Sequence, residues 1–162
     1  MIRRSIVFTL ALLLVLASAP GVAAKAHGTD RPMRADLTGE VNWTSDPIPG
    51  CAVQTVSDGR GTVTHLGLMR MHSVHCPPLG AGQVYHDGRM TLTAANGDTL
   101  TGTYDINGDP PYYYEITGGT GRFTGATGRL AFTYGFTWAP WENGAPVAPW
   151  YAYWHFWGTI SY

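Results

Sequence analysis

Met90-Thr91-Leu92-Thr93-Ala94-Ala95-Asn96-Gly97-Asp98-Thr99-Leu100-Thr101-Gly102-Thr103-Tyr104 reads as two alternating runs joined at Asn-Gly. On both sides of the join, apolar or small residues alternate with threonines at a period of two, the pattern of a half-buried strand. Asn-Gly tolerates positive φ at both central positions of a type I′ turn, whose twist matches that of paired strands. The stretch is predicted to be a β-hairpin. Asn107-Gly108-Asp109 carries the same turn signal further on.

The alternation recurs on both sides of this hairpin. Leu130, Phe132, Tyr134, Phe136 and Trp138 share one face, with Thr133, Gly135 and Thr137 on the other. Trp154, Phe156, Gly158 and Ile160 alternate with Tyr153, His155, Trp157 and Thr159, and Tyr112, Tyr114 and Ile116 oppose Tyr113, Glu115 and Thr117. Thr62 to His72 reads as one strand with Val63, His65, Gly67, Met69 and Met71 on a common face, although Leu66 and Leu68 interrupt the polar side. Further strands are predicted at Leu37–Ser45, Ala52–Val56 and Gln83–Ala94. No window sustains an i, i+3, i+4 apolar period. Seven or eight short strands with turns between them indicate an all-β sandwich or an up-and-down barrel. Bulky inner faces and Thr-rich outer faces favour a single closed antiparallel barrel of about eight strands, because closure removes exposed edges. A barrel of that size has a lumen that side chains fill or that holds one small ligand.

Composition agrees. The chain has 162 residues, of which 21 are glycine, 13% are charged and 44% are hydrophobic, with a formal net charge of −1. A basic nucleic-acid surface would need clustered Lys and Arg, and compositional disorder would need high net charge with low hydrophobicity. Neither is present, so no nucleic-acid partner is expected.

The first residues read as an address. Arg3 and Arg4 precede the apolar run Ile6–Leu16, and small residues follow through Ala24, as in a secretory signal peptide. Residues 1–24 are assigned to it, with cleavage after Ala24 or Ala26, and the run is too short to span a bilayer. The mature protein is therefore expected to be extracellular, with no stable membrane insertion. Residues 25–35 are polar and patternless and read as a flexible N-terminal arm, leaving 36–162 for the barrel. Cys51 and Cys76 are predicted to form a disulfide in that oxidising compartment. Met69, Met71, His72, His75 and Cys76 offer soft metal ligands. However, His72 and His75 fall on opposite faces of a regular strand, so no metal is expected.

The most specific stretch is Ile116-Thr117-Gly118-Gly119-Thr120-Gly121-Arg122-Phe123-Thr124-Gly125-Ala126-Thr127-Gly128. It matches neither the Rossmann nor the Walker phosphate loop, since Thr124 stands where the third glycine should be and no Lys is present. A strand, not a helix, follows it. No cofactor is expected, and the glycines are read as permitting positive φ and tight chain crossing. Together with Leu92–Leu100 and the terminal Gly158-Thr159-Ile160-Ser161-Tyr162, the run resembles secreted bacterial proteins with an allene-oxide-cyclase-like barrel. Its Gly-Gly-Thr-Gly-x-Phe-x-x-Ala-x-Gly pattern is also similar to the plant dirigent proteins of the same barrel group. The resemblance spans Gly61 to Tyr162 and implies the barrel fold. It implies no single reaction, because that group holds cyclases, proteins that steer radical coupling and proteins of no known activity.

In such a barrel, Met69, Met71, Tyr104, Tyr114, Tyr134, Phe136, Trp138 and Trp154 are predicted to line the lumen as a ligand site, with Leu92 and Leu100. His65 is the polar candidate, placed inside by its parity with Val63 and Met69, where an imidazole could act as acid or base. Asp105 and Glu115 fall opposite the apolar set, so a paired-carboxylate site is not supported, and scarce Ser with no G-x-S-x-G leaves a Ser-triad hydrolase unsupported as well. The expected function is a secreted barrel that binds a small hydrophobic molecule without turnover. Two alternatives are a cyclase or isomerase of the allene-oxide-cyclase type, and a surface protein that meets carbohydrate through the Trp138–Trp150 loop.

Overall fold

Alternation becomes architecture in the computed structural model, which describes Gly28, residues 30–44, Cys51, and residues 53–78, 83–143 and 145–162. The expected signal peptide lies outside the described residues. The strands are β1 (Arg31–Thr44), β2 (Gln54–Val63), β3 (Gly67–Cys76), β4 (His86–Ala94), β5 (Thr99–Asp105), β6 (Tyr112–Gly119), β7 (Thr127–Trp138), β8 (Trp141–Glu142), β9 (Ala145–Pro146) and β10 (Trp150–Ser161). Eight of them close into a barrel in the order β1-β10-β7-β6-β5-β4-β3-β2, and β8 and β9 pair apart as a small ribbon. Each barrel strand runs antiparallel beside its chain neighbour, and β1 closes on β10 from Arg31↔Ile160 to Val41↔Trp150. The result is an all-β up-and-down barrel. Among the described residues no helix is long and apolar enough to cross a membrane.

The inward face follows the period of two along each strand. Met33, Ala35 and Leu37 of β1, Met69 and Met71 of β3, Leu92 of β4, Leu130 of β7 and Phe156 of β10 are all buried. β1 therefore begins at Arg31, earlier than the arm boundary at residue 35 allowed. Arg31, Pro32 and Arg34 are exposed, and their polarity disguised the Met33-x-Ala35-x-Leu37 alternation.

A second difference concerns the segment 62–72. It is two strands joined by a turn over Thr64–Leu66, in which the Leu66 N–H donates to Val63 O at 3.1 Å. The reversal explains the Leu66 that interrupted the polar side. It is a turn residue tucked against the barrel end, where it is buried.

The turns also differ from the two-residue type expected. At Ala95–Gly97, Ala94 N donates to Asp98 O at 2.8 Å, Gly97 N donates to Ala94 O at 2.9 Å, and Gly97 has φ +89°. That is a three-residue hairpin with its left-handed residue last. Asn107 opens a longer connection, and its side chain holds both backbone groups of Tyr85, at 2.9 and 2.8 Å.

The glycine run seals one end of the barrel. Thr120 N donates to Thr99 O at 2.9 Å, and a 3₁₀ turn at Gly121–Phe123 drives the fully buried Phe123 ring under the barrel, 5.0 Å from the Tyr162 ring. Gly121 takes φ +56°, and a Cβ there would lie 1.8 Å from Asp98 Oδ1, so only glycine fits the crossing.

Candidate functional site

Among the described residues the opposite end is open. It is built from the C-terminal ends of β1, β3, β5 and β7 and the N-terminal ends of β2 and β10, which an antiparallel meander brings together. Between them lies a cavity of about 160 Å³ with Met90 and Phe132 among its lining residues. Phe132 stacks on Phe156, its register partner on β10, with ring centroids 5.2 Å apart.

Two walls differ in chemistry. On β7 and β10 the wall is aromatic: Phe132, Tyr134, Phe136, Trp150 and Trp154. Trp150 is buried and packs edge-on against Trp43 at 5.4 Å and Phe136 at 6.4 Å. On β2 and β3 the wall is polar, formed by the cross-strand pairs Thr55↔His75 and Ser57↔Ser73. Such pairs face one side of a sheet because strand partners in register share an orientation.

His75 is the focus of the polar wall. Its Nδ1 lies 2.7 Å from Tyr104 Oη, and the Tyr104 hydroxyl donates to Val74 O at 3.2 Å. The imidazole meets the rings of Tyr85 and Tyr104 edge-on. Burial pushes its pKa down to about 4, so the ring is neutral at physiological pH. Burial raises the phenols of Tyr104 and Tyr85, and it lifts Tyr134 to about 12 with help from the neighbouring Tyr85 and Tyr112. The tyrosines are therefore hydrogen-bonding hydroxyls rather than bases. Among the described lining residues none is Asp, Glu, Lys or Arg.

Four of the predicted lumen residues line this cavity: Tyr104, Tyr134, Phe136 and Trp154. Met69, Met71 and Tyr114 do not. They are buried in the dry core nearer the sealed end, where Tyr114 donates its hydroxyl to Met90 O at 3.0 Å. Trp138 lies outside the barrel, exposed and against Tyr151 at 6.0 Å, because β7 slips register on β10 between Tyr151 and Ala152. The slip turns Trp138 from the inner parity to the outer surface.

His65 is not in the lumen. It sits in the exposed β2–β3 turn at φ +64°, at the far end from the cavity. The turn broke the parity that had placed it with Val63 and Met69. The residue that does occupy the inner face, His75, continues the Met69-x-Met71-x-Ser73-x-His75 alternation. That signal was present in the sequence.

The disulfide joins Cys51 to Cys76, 25 residues apart, with Cα atoms 5.7 Å from each other. It ties the approach to β2 to the end of β3 and so braces the polar wall beside His75. Cys76 Sγ also lies within 4.8 Å of His86 and Asp87 ligand atoms, but its bond to Cys51 removes the thiolate that would hold a metal. In the Trp138–Trp150 insert, Trp141 is exposed on the β8–β9 ribbon while Trp150 turns into the core. The three tryptophans do not form one platform.

No protein-family model matches the sequence, and no curated protein is similar to it by sequence. Among solved structures, a pterocarpan synthase dirigent protein superposes with a TM-score of 0.52 at 13% identity. The alignment covers 91% of this chain and 99% of that one. The fold is a dirigent-like barrel. At such low identity the likeness reaches the fold and stops there, since sites are grafted onto folds independently. In this dirigent-like barrel the cavity residues must speak for themselves.

Proposed function

We propose that the protein is an exported dirigent-like barrel that holds one small hydrophobic molecule in its open end. The carrying observation is the aromatic-walled cavity of about 160 Å³ with a single polar wall. Apolar concavities with a few convergent polar groups are the usual form of a small-molecule site. A cavity on the order of 150 Å³ admits a benzene-sized guest, so one ring fits inside, and anything larger extends past Trp43 and Phe136 at the mouth. Export is supported by the signal-like N-terminus and by the disulfide, which suits an oxidising compartment.

Titration of the 15N-labelled protein with toluene tests this reading. Saturable shifts are expected at Met90, Ala152 and Trp154 and not at Phe123 or Leu100. Ala152 is buried and lines the cavity, so Ala152→Phe should fill the space and abolish the shifts while the barrel stays folded. Absence of shifts in the unmodified protein sinks the proposal.

A second reading, turnover of isomerase or cyclase type, is favoured by one observation: a neutral imidazole lines the cavity. It transfers the acid–base role from His65 to His75 and requires that a product form when an epoxide or enol-type substrate is supplied. A His75→Gln variant that forms product as fast as the unmodified protein would remove it.

A further inference from the structure

The polar wall narrows the ligand class. The hydroxyl of Tyr104 holds one proton and faces Val74 O at 3.2 Å and His75 Nδ1 at 2.7 Å, with the Ser73 side chain as a further hydrogen-bond partner. Both contacts are satisfied at once only when the phenol proton goes to Val74 O, because a backbone carbonyl accepts and cannot donate. In that arrangement Tyr104 Oη accepts from His75, and Nδ1 carries the imidazole proton. In the neutral ring this leaves Nε2 bare, a lone pair with no hydrogen. Among the described residues Nε2 has no protein partner, and no described side-chain nitrogen or oxygen is both sealed and unpartnered. Nε2 therefore opens on the cavity that His75 lines.

We propose that the ligand is an uncharged ring compound that donates one N–H or O–H to Nε2 of His75. This class rests on the cavity being a binding site. The ring is selected by the aromatic wall of β7 and β10, where edge and face contacts favour a flat guest. Neutrality follows from the described lining residues, among which a carboxylate would meet no Lys or Arg and an ammonium would meet no Asp or Glu. Either charge would be stripped of water without a partner. The donor follows from the tautomer, because a guest without one leaves the Nε2 lone pair dehydrated and unpaired. Tyr104 is a positioning residue, since it acts on the ligand only by holding the proton on Nδ1.

The test compares indole with indene, which has nearly the same outline but carries CH₂ in place of N–H, and with benzoate, using calorimetric titration of the mature protein. Indole should bind about tenfold more tightly than indene, the scale expected when a buried acceptor is left unpaired. Benzoate should bind more weakly than either. Long-range 1H–15N spectra should show His75 protonated at Nδ1 and bare at Nε2. Tyr104→Phe should shrink the indole-to-indene ratio toward one. Equal affinity for indole and indene overturns the donor requirement and leaves the binding site standing. A proton found on Nε2 overturns it too, and benzoate binding as tightly as indole overturns the neutrality. If none of the three binds, the cavity is not a ligand site and this ligand class falls with it.

Discussion

The two ends of the barrel are made from the same eight strands and finish differently. At the sealed end, short turns bring Leu66 and Phe123 beneath a layer dominated by Met, Leu and Ile side chains, in which the Tyr114 hydroxyl is paired with Met90 O. At the open end the inward positions carry rings and hydroxyls: Tyr104, Tyr134, Trp150 and Trp154 against Thr55, Ser57, Ser73 and His75. Flexible aliphatic chains interdigitate to the density of a crystal. Large flat rings held at the rim of a barrel do not close on one another as completely. A lumen of fixed strand number is thus core or cavity according to side-chain shape. On the proposed function, stability belongs to one end and recognition to the other.

That division can be broken by unequal responses at the two ends. The largest expected effect is Phe123→Ala, which empties the plug and should destabilise the protein by about 3–5 kcal/mol in urea unfolding, as for other buried rings. Phe136→Ala at the half-exposed mouth should cost far less, and equal losses would mean that the plug and the rim are not distinct. Next is the disulfide. Replacing Cys51 and Cys76 together by Ala releases a loop spanning 25 residues in sequence, worth about 3–4 kcal/mol in the chain-entropy model. The same change should loosen the polar wall and weaken ring binding, whereas Phe123→Ala should spare binding wherever the protein remains folded.

A pH effect follows in size. His75 is buried neutral with its pKa lowered to about 4, whereas an unfolded histidine titrates near 6.5. Its contribution is complete above about pH 6.5 and declines as the unfolded chain takes up the proton, until the folded ring does so near pH 4. The loss over that window should approach about 3 kcal/mol, read as the difference in stability between the unmodified protein and His75→Gln at each pH. A difference that is flat from pH 7 to 4 would place His75 in water rather than against the polar wall. The smallest effect belongs outside both ends: Trp138→Ala and Trp141→Ala, on exposed rings, should change stability by less than about 0.5 kcal/mol and leave ring affinity untouched.

Much of this contrast could be read along the chain. The alternations at Met90–Tyr104, Leu130–Trp138 and Trp154–Ile160 are local properties of extended backbone, so the strands and their inner faces were legible. Part of the cavity wall was legible with them, through Tyr104, Tyr134, Phe136 and Trp154. His65 was misplaced because parity survives only while the chain stays extended, and the turn at Thr64–Leu66 resets it. Trp138 was misplaced for a related reason, a register slip that moves a side chain to the opposite face. His75 followed the same parity as Met69 and Met71, but its importance came from Tyr104, 29 residues away in sequence, whose hydroxyl reaches it.

By itself, then, the sequence determined that this is an all-β barrel with a glycine-built crossing and two cysteines placed to pair, because periodicity and turn chemistry act over a few residues. Only the tertiary structure decided which end is closed, which inward rings face space and which histidine is among them. Those depend on Phe123 meeting Tyr162, on β1 closing on β10, and on β2 pairing β3 so that Thr55 and His75 share a wall. Each is a contact between distant parts of the chain, formed when the barrel closes and not encoded in any local window.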